Sequence, residues 1–208
     1  MADVERHEFF PTCIYRFKHD FKENELNNVV KHIEDNSLSE QNGQIIKRTG
    51  SQTQNELHKI DTFANLTNTI INATKSILDE QGYIGEVEIT NMWGNILRPQ
   101  SQRAHAPHTH SNNFLSGVFY LKTSDDTSPI QFFDPRPQSD VLKPRKKEYN
   151  RLNSNIAQFQ SETGWGVVFP SWLQHWVPET KDERMSIAWN IIVRGEYGEP
   201  NALQNAHI

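Results

Sequence analysis

The chain has 208 residues, 35% hydrophobic and 10% aromatic, enough to bury a substantial core and read as a single domain. A net charge of −5, with basic residues scattered rather than striped, excludes the electrostatic footprint of a nucleic-acid binder. No run approaches the roughly 20 apolar residues of a membrane span and the start "MADVERHEFF" is charged, so the expectation is a soluble, cytoplasmic protein that engages neither nucleic acid nor membrane.

The first half carries helical signals. Cys13, the single cysteine, cannot form an internal disulfide; in "FFPTCIYRF", an expected early strand, it reads as a buried structural thiol. In "FKENELNNVVKHIEDNS" Leu26, Val29, Val30 and Ile33 recur at helical spacing. "IDTFANLTNTIINATKSILDEQG" repeats the pattern with Leu66, Ile70, Ala73 and Ile77 until Gly82 stops it. His32 and His58, in or beside these segments, read as solvated surface histidines.

From Glu86 the texture changes to short strands between turn residues: "EVEITNMWGNILRP", "NFLSGVFYLKT", "SPIQFFDP", "GWGVVFP" and "RMSIAWNIIVRG". Such strands suggest a sandwich or jelly roll, whose interior can enclose a ligand. Residues 1–85 are thus expected to form a layer of strand and helices on a β core spanning 86–195, with 196–208 as a C-terminal tail. The polar, proline-punctuated segment 135–155 is long for a loop in a compact domain and is expected to be a mobile flap; its Arg145, Lys146 and Lys147 read as solvated surface.

The chemistry gathers around "HAPHTH", three histidines within residues 105–110. On a strand, side chains alternate faces, so His108 and His110 would point the same way and make a two-point metal clamp. His175 in "FPSWLQHWVP" becomes a third ligand if two strands bring it opposite that pair, leaving the other metal positions open. His105, ahead of Pro107, is expected at the rim of the site. Arg184, nine residues past His175, opens an otherwise apolar strand with Ser186 on the same side. A guanidinium there needs an anion, either a bound carboxylate or phosphate held bidentately, or a structural acid such as Glu179 or Asp182.

The succession HxH, "SGVFYL", "FFDPR", "GVVFPSWLQH" and "ERMSIAWN", over roughly residues 90–194, resembles the 2-oxoglutarate/Fe(II) oxygenase family related to prolyl hydroxylases. The resemblance implies a mainly β fold with some α, a double-stranded β-helix or jelly-roll core under an N-terminal helical layer. It implies a dioxygenase using Fe(II), 2-oxoglutarate and O2 on a peptide residue or small metabolite. Carried over residue by residue, His108 and His175 take the first and distal iron positions, and Arg184 with Ser186 the co-substrate clamp. Tyr120 and Asn95 are added as further polar contacts to the keto acid. The family has Asp or Glu where this chain has His110, so the third ligand is His110, by its spacing from His108, or alternatively Asp134 in "FFDPRP". Trp93, Phe119, Trp172, Trp176 and Trp189 either line the pocket or are plain core. Two other readings use the same histidines: a cupin-like dioxygenase or isomerase that needs no keto acid, and a non-catalytic jelly roll that binds metal or a ligand.

Overall fold

The computed structural model describes residues 4–41, 44–47, 52–99 and 104–208. Strand β1 (Tyr15–Lys18) leads into α1 (Glu23–Asn36), the hairpin of β2 (Leu38–Gln41) and β3 (Gln44–Lys47), and then α2 (Ala64–Gln81). The helical periods read from the sequence are those observed: α1 buries Val29 and Ile33, and α2 buries Leu66, Ile70 and Ile77. Thr74 is buried where Ala73 was expected, and Ala73 is only half-buried. Gly82 ends α2 with φ of 73°, a left-handed conformation that glycine adopts without a Cβ penalty. Cys13 is half-buried, just ahead of β1. His32 and His58, expected at the solvated surface, are half-buried. His32 packs edge-on against Phe63 with ring centroids 5.2 Å apart. Burial lowers the pKa of His58 and leaves its Nδ1 without a hydrogen-bond partner.

The second half supplies β4 (Glu86–Leu97), β5 (His105–His108), β6 (Leu115–Lys122), β7 (Ile130–Phe133), β8 (Ile156–Phe159), β9 (Trp165–Pro170), β10 (His175–Val177), β11 (Arg184–Arg194), β12 (Glu196–Tyr197) and β13 (Ala206–His207). A five-stranded sheet runs β1-β9-β6-β11-β4 and a four-stranded sheet β5-β10-β7-β8, every neighbouring pair within them antiparallel. The C-terminal segment closes as the short pair β12–β13, with Gly195 and Ile208 exchanging backbone bonds of 3.0 and 3.1 Å.

Alternation along the strands divides the interior into two layers. On β11, Met185, Ile187, Trp189 and Ile191 join Val29, Ile33, Phe63, Leu66 and Ile70 in the core between helices and sheet. The opposite face of the same sheet contributes Leu97, Val118, Tyr120, Val167 and Phe169 to a second core, completed by Ile130, Phe132 and Val177 of the smaller sheet. Each fully buried apolar side chain of these layers contributes about 1.5–3 kcal/mol. Two antiparallel sheets face to face, with helices outside one of them, make a jelly roll with a helical layer. Gly117 lets the ring of its cross-strand partner Trp189 lie over β6: a Cβ there would be 2.3 Å from it. Among the described residues no helix is long and apolar enough to cross a membrane.

Candidate metal and anion site

The β5–β10 ladder sets His108 directly opposite His175. His110 does not continue β5 as the alternation reading expected. The strand ends at His108, and His110 is carried on the following loop, its backbone N–H donating to Ser171 O at 2.9 Å. Ser171 is itself fixed from inside the barrel, since its hydroxyl meets Ser116 Oγ at 2.8 Å and Ser116 donates to Asn190 Oδ1 at 2.7 Å. The three histidines still converge: one ligand atom from each lies within 4.8 Å of the others.

Their tautomers suit a cation. Nδ1 of His108 donates to Ala106 O at 2.7 Å and Nδ1 of His175 to Leu173 O at 2.9 Å, which leaves each Nε2 with its lone pair directed inward. Nε2 of His110 stands 3.3 Å from Nε2 of His175, close to the roughly 3 Å between neighbouring nitrogens on one metal with bonds of about 2.1 Å. Burial pushes His110 and His175 down to about 4, so both rings are neutral, the metal-binding form, at neutral pH.

Asp134 is not brought to this cluster. Its carboxylate accepts Arg136 Nε and Nη2 at 2.9 and 2.8 Å and the Arg136 backbone N–H at 3.0 Å. That pairing holds its pKa down at about 2.

Arg184 is 1% exposed, yet no carboxylate pairs with it among the described residues. Asp182 accepts from Ser124 Oγ and the Glu183 N–H, and Glu183 takes Arg98 and Lys122, so the structural-acid reading is not what the fold builds. The guanidinium instead donates to Ser161 Oγ and Ser186 Oγ, both at 3.1 Å, and sits 4.9 Å from the Tyr120 ring centroid. Ser186, as an acceptor from Arg184, keeps its own proton to donate. The Tyr120 hydroxyl is buried and has no hydrogen-bond partner among the described residues. A buried cation with only neutral partners, beside an orphaned O–H, is costly unless an anion joins them.

A cavity of about 340 Å³ connects the two groups, lined by Trp93, Asn95, Val118, Phe169, Arg184 and the histidines among others. Asn95 lies opposite Ser186 in the β4–β11 ladder, and its Oδ1 accepts from Gln52 Nε2 at 2.9 Å. Gln52 and Ser161 went unread in the sequence because each is a single polar residue in an irregular segment with no period to mark it. Of the five aromatics considered, Trp93 lines the cavity, while Phe119 and Trp189 face the helices. Trp172 is 58% exposed, and Trp176 donates to Gln131 Oε1 at 2.8 Å. Among the described side chains of 135–155 none lines the cavity; Val141, Leu142, Tyr149 and Leu152 of that segment are exposed. A larger cleft, about 450 Å³, lies beside the start of α1 among Lys22, Glu23, Glu25 and Asp61 and contains none of these groups.

Residues 91–190 match the family described as "Putative 2OG-Fe(II) oxygenase". Among solved structures, a prolyl-4-hydroxylase from Pseudomonas putida is similar at 13% identity and a TM-score of 0.56, over 86% of this chain and 92% of that one. EctD from S. alaskensis is similar at 13% identity and a TM-score of 0.61, over 88% and 73%. A 2OG-Fe(II) oxygenase family oxidoreductase from Burkholderia pseudomallei is similar at 14% identity and a TM-score of 0.56, over 86% and 84%. At these identities the likeness is one of fold. No curated protein matches the chain.

Proposed function

We propose, for an enzyme whose residues 91–190 belong to the 2OG-Fe(II) oxygenase family, that it is a dioxygenase holding Fe(II) with His108, His110 and His175 and 2-oxoglutarate with Arg184. The observation that carries the reading is the buried Arg184 guanidinium, with no carboxylate partner among the described residues, beside the orphaned Tyr120 hydroxyl and across one cavity from three convergent imidazoles. A jelly roll that used the histidines without a keto acid would have no use for an unpaired buried cation.

Iron held by these histidines would supply the coupling of O2 reduction to oxidative decarboxylation of 2-oxoglutarate to succinate and carbon dioxide, and with it the oxidant for hydroxylation of a peptide residue or small metabolite. The chain's own groups do the rest. His108 and His175, each locked by an Nδ1 hydrogen bond to a carbonyl, present one nitrogen in a fixed direction, and His110 completes a face of three neutral donors. Three neutral ligands would leave a bound metal one unit more positive than a set with a carboxylate, which would strengthen its hold on an anionic keto acid. Arg184, Ser186 and Tyr120 offer donors to the far carboxylate, and Asn95 adds a polar contact on the cavity wall. Val118, Ile130 and Phe169 line the cavity between with apolar surface. A cytoplasmic setting, where 2-oxoglutarate is a common metabolite, suits this use.

The test is oxygen exposure of the anaerobic Fe(II)–2-oxoglutarate complex: succinate forms in wild type and is absent when either component is omitted. Succinate no higher than in a protein-free control would overturn the proposal. The third ligand has its own test. His110→Ala is expected to weaken Fe(II) binding by at least about tenfold. Asp134→Ala, which removes the acceptor of the Arg136 side chain and backbone N–H away from the histidines, is expected to leave it unchanged. Calorimetric metal titration of both variants reads the difference, and the reverse pattern would hand the position to Asp134.

A further inference from the structure

Residues opposite each other in an antiparallel ladder share a face, and so do residues two apart on one strand. His175 and Val177 of β10 therefore point the same way, into the barrel. Their partners on β5 are His108 and His105, which are three apart, and the register is irregular between the two pairs. A regular strand would send residues three apart to opposite faces. The extra residue is taken up as a bulge in the sequence His105-Ala106-Pro107-His108, where Pro107 has no N–H to lose from the ladder. The bulge turns His105 inward with His108, and His105 lines the same cavity as Arg184.

What the bulge delivers is an imidazole with no partner. Neither ring nitrogen of His105 has a hydrogen bond among the described residues, although burial and the charge of Arg184 push its pKa down to about 4 and keep it neutral. It is not one of the three clustered histidines. Arg184 comes from β11 of the larger sheet and His105 from β5 of the smaller one, so the two donors reach the cavity from opposite sheets.

We propose that His105 is a further co-substrate-binding residue, donating an N–H to the carboxylate of 2-oxoglutarate that Arg184 holds and so selecting keto acids that carry a second carboxylate. The inference rests on the reading of Arg184 as the carboxylate anchor. Neutral imidazole has one N–H to give and takes no charge from the anion, so it adds directionality where Arg184 supplies the field.

The experiment compares two ligands on the Fe(II)-loaded protein under anaerobic conditions: 2-oxoglutarate, and 2-oxobutyrate, which keeps the chelating keto-acid head and lacks the far carboxylate. His105→Phe is expected to weaken 2-oxoglutarate about tenfold while changing 2-oxobutyrate affinity less than about twofold, with Fe(II) uptake intact. His105→Gln, which retains an N–H donor, is expected to recover part of the loss. Equal weakening of both ligands, or of neither, overturns the proposal. If wild type itself shows no preference for 2-oxoglutarate over 2-oxobutyrate, the Arg184 reading falls. If the preference is lost in Arg184→Ala but kept in His105→Phe, the His105 assignment alone falls.

Discussion

His175→Ala is expected to abolish Fe(II) binding, with affinity falling by at least about 100-fold, beyond the range associated with losing an outer partner of a ligand. His175 is 3% exposed, lies 4.6 Å between ring centroids from Phe169, and has its Nδ1 engaged by Leu173 O, so its nitrogen cannot be replaced by a small shift of a neighbour. The substitution also opens a void in the second core, which at about 2–5 kcal/mol for large-to-Ala changes would lower Tm by itself. His108→Ala separates the two effects. His108 is only half-buried, so its loss should cost little stability while removing a facing nitrogen from the same site. Metal content measured on both folded variants decides the matter: depletion in both supports the site, and wild-type stoichiometry in either removes that histidine from it.

Arg184→Ala is expected to weaken 2-oxoglutarate binding about 10- to 150-fold with the metal retained, the range of a charge-assisted hydrogen bond worth about 1.5–3 kcal/mol. Arg184→Lys should restore only part of this, since an ammonium cannot present the planar fork that also reaches Ser161 and Ser186. A second readout comes from stability. An uncompensated buried cation is a cost to the free protein, so Arg184→Met should unfold at an equal or higher temperature than wild type without ligand. Wild type, but not Arg184→Met, should then gain Tm on adding 2-oxoglutarate to the metal-loaded form. Equal 2-oxoglutarate affinity in wild type and both the Ala and Lys variants would contradict the anchor.

The sequence made the two chemical ends legible for different reasons. Histidines close in sequence, and an arginine inside an apolar strand, stand out locally, because each conflicts with its surroundings unless a ligand or partner resolves the conflict. Strand parity reaches further than these two ends. Once Tyr120 faces the second core and Ser186 the cavity, Phe119 and Trp189 must face the helices, and so they do. Parity failed where the backbone is irregular. The bulge that turns His105 inward and the loop that carries His110 off the end of β5 are set by pairing with β10 and Ser171, distant in sequence and invisible in any local period. Ser161 and Gln52 are likewise placed by tertiary contacts to Arg184 and Asn95. The segment 135–155 was singled out by length and polarity alone, which mark a loop without locating it, and it lies off the cavity wall.

The central claim is that one iron and one 2-oxoglutarate meet in the cavity between the three histidines and Arg184. Anaerobic titration of the metal-free protein with Fe(II), first alone and then with 2-oxoglutarate, tests it directly by following the visible charge-transfer absorption of a keto acid chelated to ferrous iron. The account predicts a band that requires both components, saturates at one equivalent of each per chain, and fails to form in His175→Ala. Iron binding with no such band at saturating 2-oxoglutarate, or a band of equal intensity in His175→Ala, would contradict it.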